Sequence, residues 1–123
     1  MPVRTKRWND AAEAEDGFRL LICRIRPRGV PKAKETWDAW WPELGPSRVL
    51  LDGFHGKGGA PPLSWEAYVP RYLAEMGGPG QLWRIRDLAR RVAAGETITL
   101  LCSAACTDPA HCHRTLLAKL IAG

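Results

Sequence analysis

Long apolar runs are missing from this 123-residue chain: none approaches the ~20 consecutive apolar residues that a bilayer-spanning helix needs. The opening MPVRTKRWND is basic, but no apolar stretch follows it before Phe18, so it lacks the pattern of a secretory signal. Both absences predict a cytosolic (cytoplasmic) chain without a membrane partner. Cysteine is scarce, at four residues, and in a reducing compartment these read as thiols or metal ligands rather than a disulfide framework. No compositional skew marks a disordered, collagen-like or coiled-coil protein, since 46% of residues are apolar and 25% charged. The length suits a single domain.

Negative charge is in the minority. Eighteen basic side chains, thirteen of them Arg, stand against thirteen acidic ones, for a net charge of +5. The planar guanidinium fork suits phosphate and carboxylate, so the excess points to an anionic partner. A GC-rich genome also enriches Arg, along with the twelve Gly and ten Pro found here, so charge alone leaves both explanations open.

Along the chain, residues 1–17 read as a polar N-terminal tail, loose or forming a short helix, ahead of a single domain over 18–123. Phe18 to Ile25 (FRLLICRI) and Thr97 to Cys102 (TITLLC) are strands, and their nearly continuous apolar runs suit a parallel sheet covered on both faces. Lys34 to Leu44 carries Trp37, Trp40, Trp41 and Leu44 at helical offsets, with Pro42 limiting the helix. Ser47 to Leu51 fits a short strand or a helical turn, and Gly53 to Pro62 is a Gly/Pro-rich loop. Ser64 caps a helix over Trp65 to Met76 that contains Pro70; a second helix runs from Gln81 to Ala94 with Gly95 at its end. A last helix covers Cys112 to Ile121.

This order predicts an α/β fold, a small, mainly parallel sheet flanked by helices in a Rossmann-like single domain. Two strands make a thin sheet. A third must come from Ser47–Leu51, from the N-terminal tail, or from another subunit, in which case the protein is a homodimer.

The densest chemistry lies where the last strand gives way to the last helix, in TITLLCSAACTDPAHCHRTLL. Three readings compete there. In one, Arg114 and the free N–H groups at the helix start cradle a phosphate or carboxylate. In another, Cys112 is a thiolate nucleophile with His111 or His113 as its base. In the third, Cys102, Cys106 and Cys112 join a histidine in holding a metal, although C-x3-C-x5-C-H is not the familiar paired spacing of zinc sites. The plain alternative makes Cys102 and Cys112 small buried hydrophobes.

A second basic feature is the loop RIRPRGVPKAK, with Arg24, Arg26, Arg28, Lys32 and Lys34. Ligands of open α/β sheets bind beyond the carboxyl ends of the strands, so in a parallel sheet this loop and the Cys102–Arg114 segment open onto one crevice. A solvated basic turn is the plainer reading. The six tryptophans would suit base stacking, but most lie on helical stripes where core packing explains them; Trp8 in the tail is the exception, and His55 reads as an ordinary loop residue.

Four segments together resemble the domain-of-unknown-function 488 (YeaO-like) family: IRPRGVPK at 25–32, D-x-W-x-P-E-L-x-P-S at 38–47, W-x-x-Y-x-x-R-Y-x-x-E-M at 65–76, and T-L-L-C…D-P…C-H-R at 99–114. The first three resemble the YeaO-like branch, except that Ile25 stands where that branch usually has tryptophan. The Cys-His-Arg ending is similar to another branch, whose acidic residue after the first cysteine is replaced here by Ala104. The resemblance implies a small cytosolic α/β domain and groups Arg26, Arg28, Cys102, Cys112, His113 and Arg114 as site candidates. It implies no particular reaction or cofactor.

The expectation is thus a crevice that binds an anionic small molecule or a nucleic acid. Arg24, Arg26, Arg28, Lys32 and Arg114 would hold the anion, with Cys112 and His113 at the helix start. A Cys112 thiolate enzyme and a Cys102/Cys106/Cys112 metal site are the alternatives.

Overall fold

A computed structural model describes residues 3–59 and 61–123; residues 1 and 2 of the tail, and position 60 of the Gly/Pro-rich loop, lie outside the described residues. Four strands, β1 (Val3–Arg7), β2 (Phe18–Leu21), β3 (Ala39–Trp40) and β4 (Ile98–Cys102), form one parallel sheet in the order β1-β4-β2-β3. The register pairs Ile98 with Val3 on one side and Phe18 on the other, and Leu20 with Ala39. Four helices complete the α/β domain: α1 (Arg48–Phe54), α2 (Trp65–Met76), α3 (Pro79–Ala93) and α4 (His113–Ala122). None of the described helices is long and apolar enough to cross a membrane.

The unbroken apolar character of β2 and β4 follows from their central place. Leu20, Leu21 and Ile22, and Ile98 to Leu101, are wholly buried. Leu20, Ile22, Ile98 and Leu100 face the helices, packing against Tyr68 and Tyr72 of α2, Leu88 of α3 and Leu117 of α4. The opposite face is covered by loops: Leu21, Leu101 and Cys23 pack under Trp37, with Trp8 and Val30 beside them.

Both missing strands come from the chain itself. Residues expected as a tail or short helix supply β1, and Trp8 extends its ladder by donating its N–H to the Cys102 carbonyl at 2.8 Å. The second addition corrects the expected helix over Lys34–Leu44. That segment holds a short 3-10 turn (Lys32–Lys34), then β3, then another 3-10 turn (Pro42–Leu44). Its N–H groups are claimed by β2: Asp38 donates to the Arg19 carbonyl at 2.7 Å and Trp41 to the Leu21 carbonyl at 2.9 Å. Pro42 brings no N–H, and aromatic residues suit a pleated edge, so the helical spacing of the tryptophans was coincidental. Trp37 goes to one face of the sheet and Trp41 to the other, while Trp40 donates its indole N–H to the Cys23 carbonyl at 2.7 Å.

Elsewhere local signals held. The Ser64 hydroxyl accepts the Ala67 N–H and starts α2 as expected. Pro70 lies inside that helix on its exposed side. Ser47–Leu51 belongs to a helix, not a strand: the Ser47 hydroxyl caps α1, and the Ser47 N–H donates to the Glu75 carboxylate at 2.7 Å. Helix α1 runs into the start of the Gly/Pro-rich loop, ending at Phe54. Gly17 turns the chain into β2 with φ of 63°, and a Cβ there would lie 2.3 Å from the Thr97 carbonyl oxygen. No side chain fits.

Candidate functional site

The carboxyl ends of β2 and β4 open into a cavity of about 330 Å³. Cys23, Arg24 and Ile25 continue β2 along one side, and the turn after β4 brings Cys106, Asp108 and His111 to another. Phe54 of α1 and Trp65 and Tyr68 of α2 form an aromatic wall, with Phe54 and Tyr68 rings 4.5 Å apart and Trp65 stacked on Tyr68 at 5.3 Å. Cys102, Cys112 and His113 close the floor.

The floor is assembled by three elements. Cys102 ends the buried strand β4; the turn reverses through a Cys106 N–H to Ser103 carbonyl bond of 3.0 Å; Cys112 then takes the N-cap position of α4 without a side-chain capping hydrogen bond. The sulfurs of Cys102 and Cys112 lie 3.4 Å apart, and all three sulfurs fall within 4.8 Å of one another. Cys106 and Cys112 are joined as a disulfide, which corrects the expectation of free thiols at these two positions and leaves Cys23 and Cys102 as the free cysteines. The buried His113 ring is held by the Ile22 carbonyl, 2.9 Å from Nε2. That bond assigns the proton to Nε2 in the neutral ring and aims Nδ1 at Cys102 (3.9 Å) and Cys112 (4.0 Å).

The hydrogen bond from Cys23, helped by the charge of His113 and opposed by burial, holds Cys102 well below the usual thiol range. Cys23 is pushed up by the same contact and by its own burial. Burial opposes charge on His113, but the neighbouring Cys102 thiolate outweighs it and leaves the imidazole raised. In reduced protein near pH 7, iodoacetamide is therefore expected to modify Cys102 faster than Cys23. Peptide mass spectrometry over a time course reads both rates, and equal rates would refute this ordering.

The basic residues singled out in the sequence do not converge. Arg24 lines the cavity, its guanidinium donating to the Pro46 carbonyl (3.0 Å) and the Gly45 carbonyl (3.3 Å). Arg26 is bound to Glu35 at 2.7 Å and lies over the Trp37 ring, in the loop that turns onto the sheet's other face. Arg28 and Lys32 are exposed on that loop. Arg114 is buried behind the sulfur-bearing turn, donating to the Cys106 carbonyl at 3.4 Å, and is not among the residues that line the cavity.

Sequence reasoning missed the aromatic wall. Trp65 and Tyr68 have helical spacing and read as core, while Phe54 and His55 fell in a segment read as loop. A signal was present in Trp65, which as the first residue of its helix sits at a rim rather than mid-stripe.

Comparisons with known proteins agree over nearly the whole chain. Residues 3–123 match the family described as DUF488-N3a, the active DUF488-N3 subclade. The uncharacterized protein YeaO of Escherichia coli (strain K12) is 35% identical over 112 residues, which cover 90% of each chain. The uncharacterized protein Rv3073c of Mycobacterium tuberculosis (strain ATCC 25618 / H37Rv) is 28% identical over 122 residues, covering 98% of this chain and 94% of that one. No solved structure matches. With a family match from Val3 to the last residue and YeaO itself 35% identical over 90% of each chain, the chain belongs to the YeaO-like DUF488 family.

Proposed function

We propose that this protein binds a small, planar ligand carrying an anionic group, of the nucleotide or aryl-phosphate kind, in the cavity above Cys102 and His113. The observation that carries the reading is the aromatic wall of Phe54, Trp65 and Tyr68 facing a polar floor at the carboxyl ends of a parallel sheet. A volume of about 330 Å³ suits one small molecule rather than a nucleic-acid strand. Arg24 supports the anionic part: two of its donors hold the strap at Gly45 and Pro46, which orients the guanidinium and leaves its remaining donors for a ligand. Arg26, neutralised by Glu35, and Arg114, behind the floor, take no part in holding the ligand.

Calorimetric titration with nucleoside monophosphates, nucleosides and aryl phosphates tests this. Binding is expected to weaken about tenfold in Trp65→Ala, matching the ~1.5 kcal/mol that an aromatic contact contributes. In Arg24→Ala the preference for phosphorylated over neutral compounds should disappear. A folded wild-type protein that binds none of these compounds, or binds them equally well in both variants, overturns the reading.

A further inference from the structure

The cavity floor has a chemistry of its own, independent of what the cavity binds. We infer that Cys102, Cys106, Cys112 and His113 Nδ1 form a four-ligand site for a divalent metal ion of the zinc class. Around zinc, with bonds of ~2.3 Å to sulfur and ~2.0 Å to nitrogen, tetrahedral ligands stand about 3.5–3.8 Å apart. Here Cys102 and Cys112 sulfurs are 3.4 Å apart, Nδ1 is 3.9 and 4.0 Å from them, and the Cys106 sulfur lies within 4.8 Å of the other two sulfurs. Ligand spacing for all four requires the Cys106–Cys112 pair to be reduced and the Cys106 side chain to turn toward the other three.

Three further observations fit a metal better than a lone thiol pair. Histidine ligands commonly donate their second ring N–H to a backbone carbonyl, and the Ile22 carbonyl takes that place at 2.9 Å from Nε2. Three thiolates and one imidazole around a dication leave one net negative charge. Arg114, directly behind the turn, is buried with no hydrogen-bond partner for Nε, and among the described residues no carboxylate lies within ion-pair distance of it. A negatively charged centre on the adjacent turn would add to the Asp10 carboxylate, which feels the Arg114 charge but is itself paired with Arg7, and Cys112 stands at the N-terminus of α4, where negative charge is favoured. Finally, the donor set of sulfur and imidazole selects zinc-like ions over magnesium or calcium.

Binding releases the thiol protons and requires reduced cysteines. Cys106 and Cys112, joined as a disulfide with Cα atoms 6.5 Å apart, supply two of the ligands only when reduced, so the site belongs to the reduced protein.

The test needs no ligand for the cavity, so its failure and that of the proposed function are separable. Reduced protein is titrated with Co2+ and read by visible and near-ultraviolet absorption, and zinc content after purification under reductant is read by mass spectrometry. One ion per chain with thiolate-to-cobalt charge transfer and tetrahedral ligand-field bands is expected. Affinity should fall at least tenfold in His113→Ala, be lost in Cys112→Ser, and persist in Cys23→Ala. Should the variants fail to fold, wild-type protein decides: zinc is expected to protect Cys102, Cys106 and Cys112, but not a denatured control, from alkylation. Reduced, folded protein that takes up no ion, full binding by Cys112→Ser, or the absence of zinc protection overturns the site.

Discussion

Replacing Asp16 by Asn is expected to lower the unfolding free energy by about 3–5 kcal/mol, the cost of removing one partner of a buried ion pair. Asp16 is fully buried beneath the loop-covered face of the sheet and gathers three cations: Arg19 in direct contact, Lys6 at 3.0 Å and Arg4 at 3.2 Å. Asn keeps the volume but not the charge. Arg4 and Lys6 retain the exposed carboxylate of Glu13, whereas Arg19, itself buried, loses its counterion. Burial alone would raise the Asp16 carboxyl, but the Lys6, Glu13 backbone and Arg19 hydrogen bonds hold it below its ordinary value of 3.8. A depressed carboxylate stabilises the fold above its unfolded value, and that contribution is lost as pH falls from about 4 through the lower folded value. Urea denaturation should therefore show wild-type stability declining in that acid range and a flatter profile for Asp16→Asn. A loss under 1 kcal/mol, or identical acid limbs, would remove the pair from the stability account.

Tyr72 carries the second large effect. Its ring is fully buried, stacked on Tyr68 at 5.9 Å and 5.5 Å from the His113 ring, and its hydroxyl donates to the Leu44 carbonyl at 2.8 Å. Tyr72→Ala is expected to cost about 3–5 kcal/mol from lost packing and the cavity left behind. Tyr72→Phe keeps the ring and strands one buried carbonyl, for about 1–2 kcal/mol. The gap between the two variants separates packing from the bond, and equal losses would show that the ring contributes little. Because Tyr72 joins α2 both to the strap at Leu44 and to the His113 ring, the Phe variant should also leave the cavity's walls intact while the Ala variant loosens them.

The helices α2, α3 and α4 and the strand β4 were legible because their signals are local. A serine cap before an apolar stripe, a glycine just past a helix end and a short β-branched run each act within a few residues. The Trp37–Leu44 segment was not, since its spacing fits a helix equally well, and hydrogen bonds to β2 outweigh local periodicity there. The N-terminal strand was hidden for a related reason. Val3–Arg7 (VRTKR) is polar because it sits at the sheet's edge, where only one neighbour, β4, pairs with it.

For the site, the chain's own order determined that Cys102, Cys106, Cys112 and His113 would cluster, because a buried strand, a tight turn and a helix start leave them nowhere else to go. The same order also determined that Arg24 would stand beyond a strand end. Which face Arg114 takes, which nitrogen of His113 is free, and which aromatics wall the cavity were decided by tertiary structure alone. Each depends on a partner far along the chain: the Ile22 carbonyl is 91 residues from His113, and the wall joins α1 and α2 to the turn after β4. Local propensity acts over a turn of helix or a pair of strand residues, whereas a side chain's direction and its buried hydrogen-bond partner are settled only when the layers close on one another.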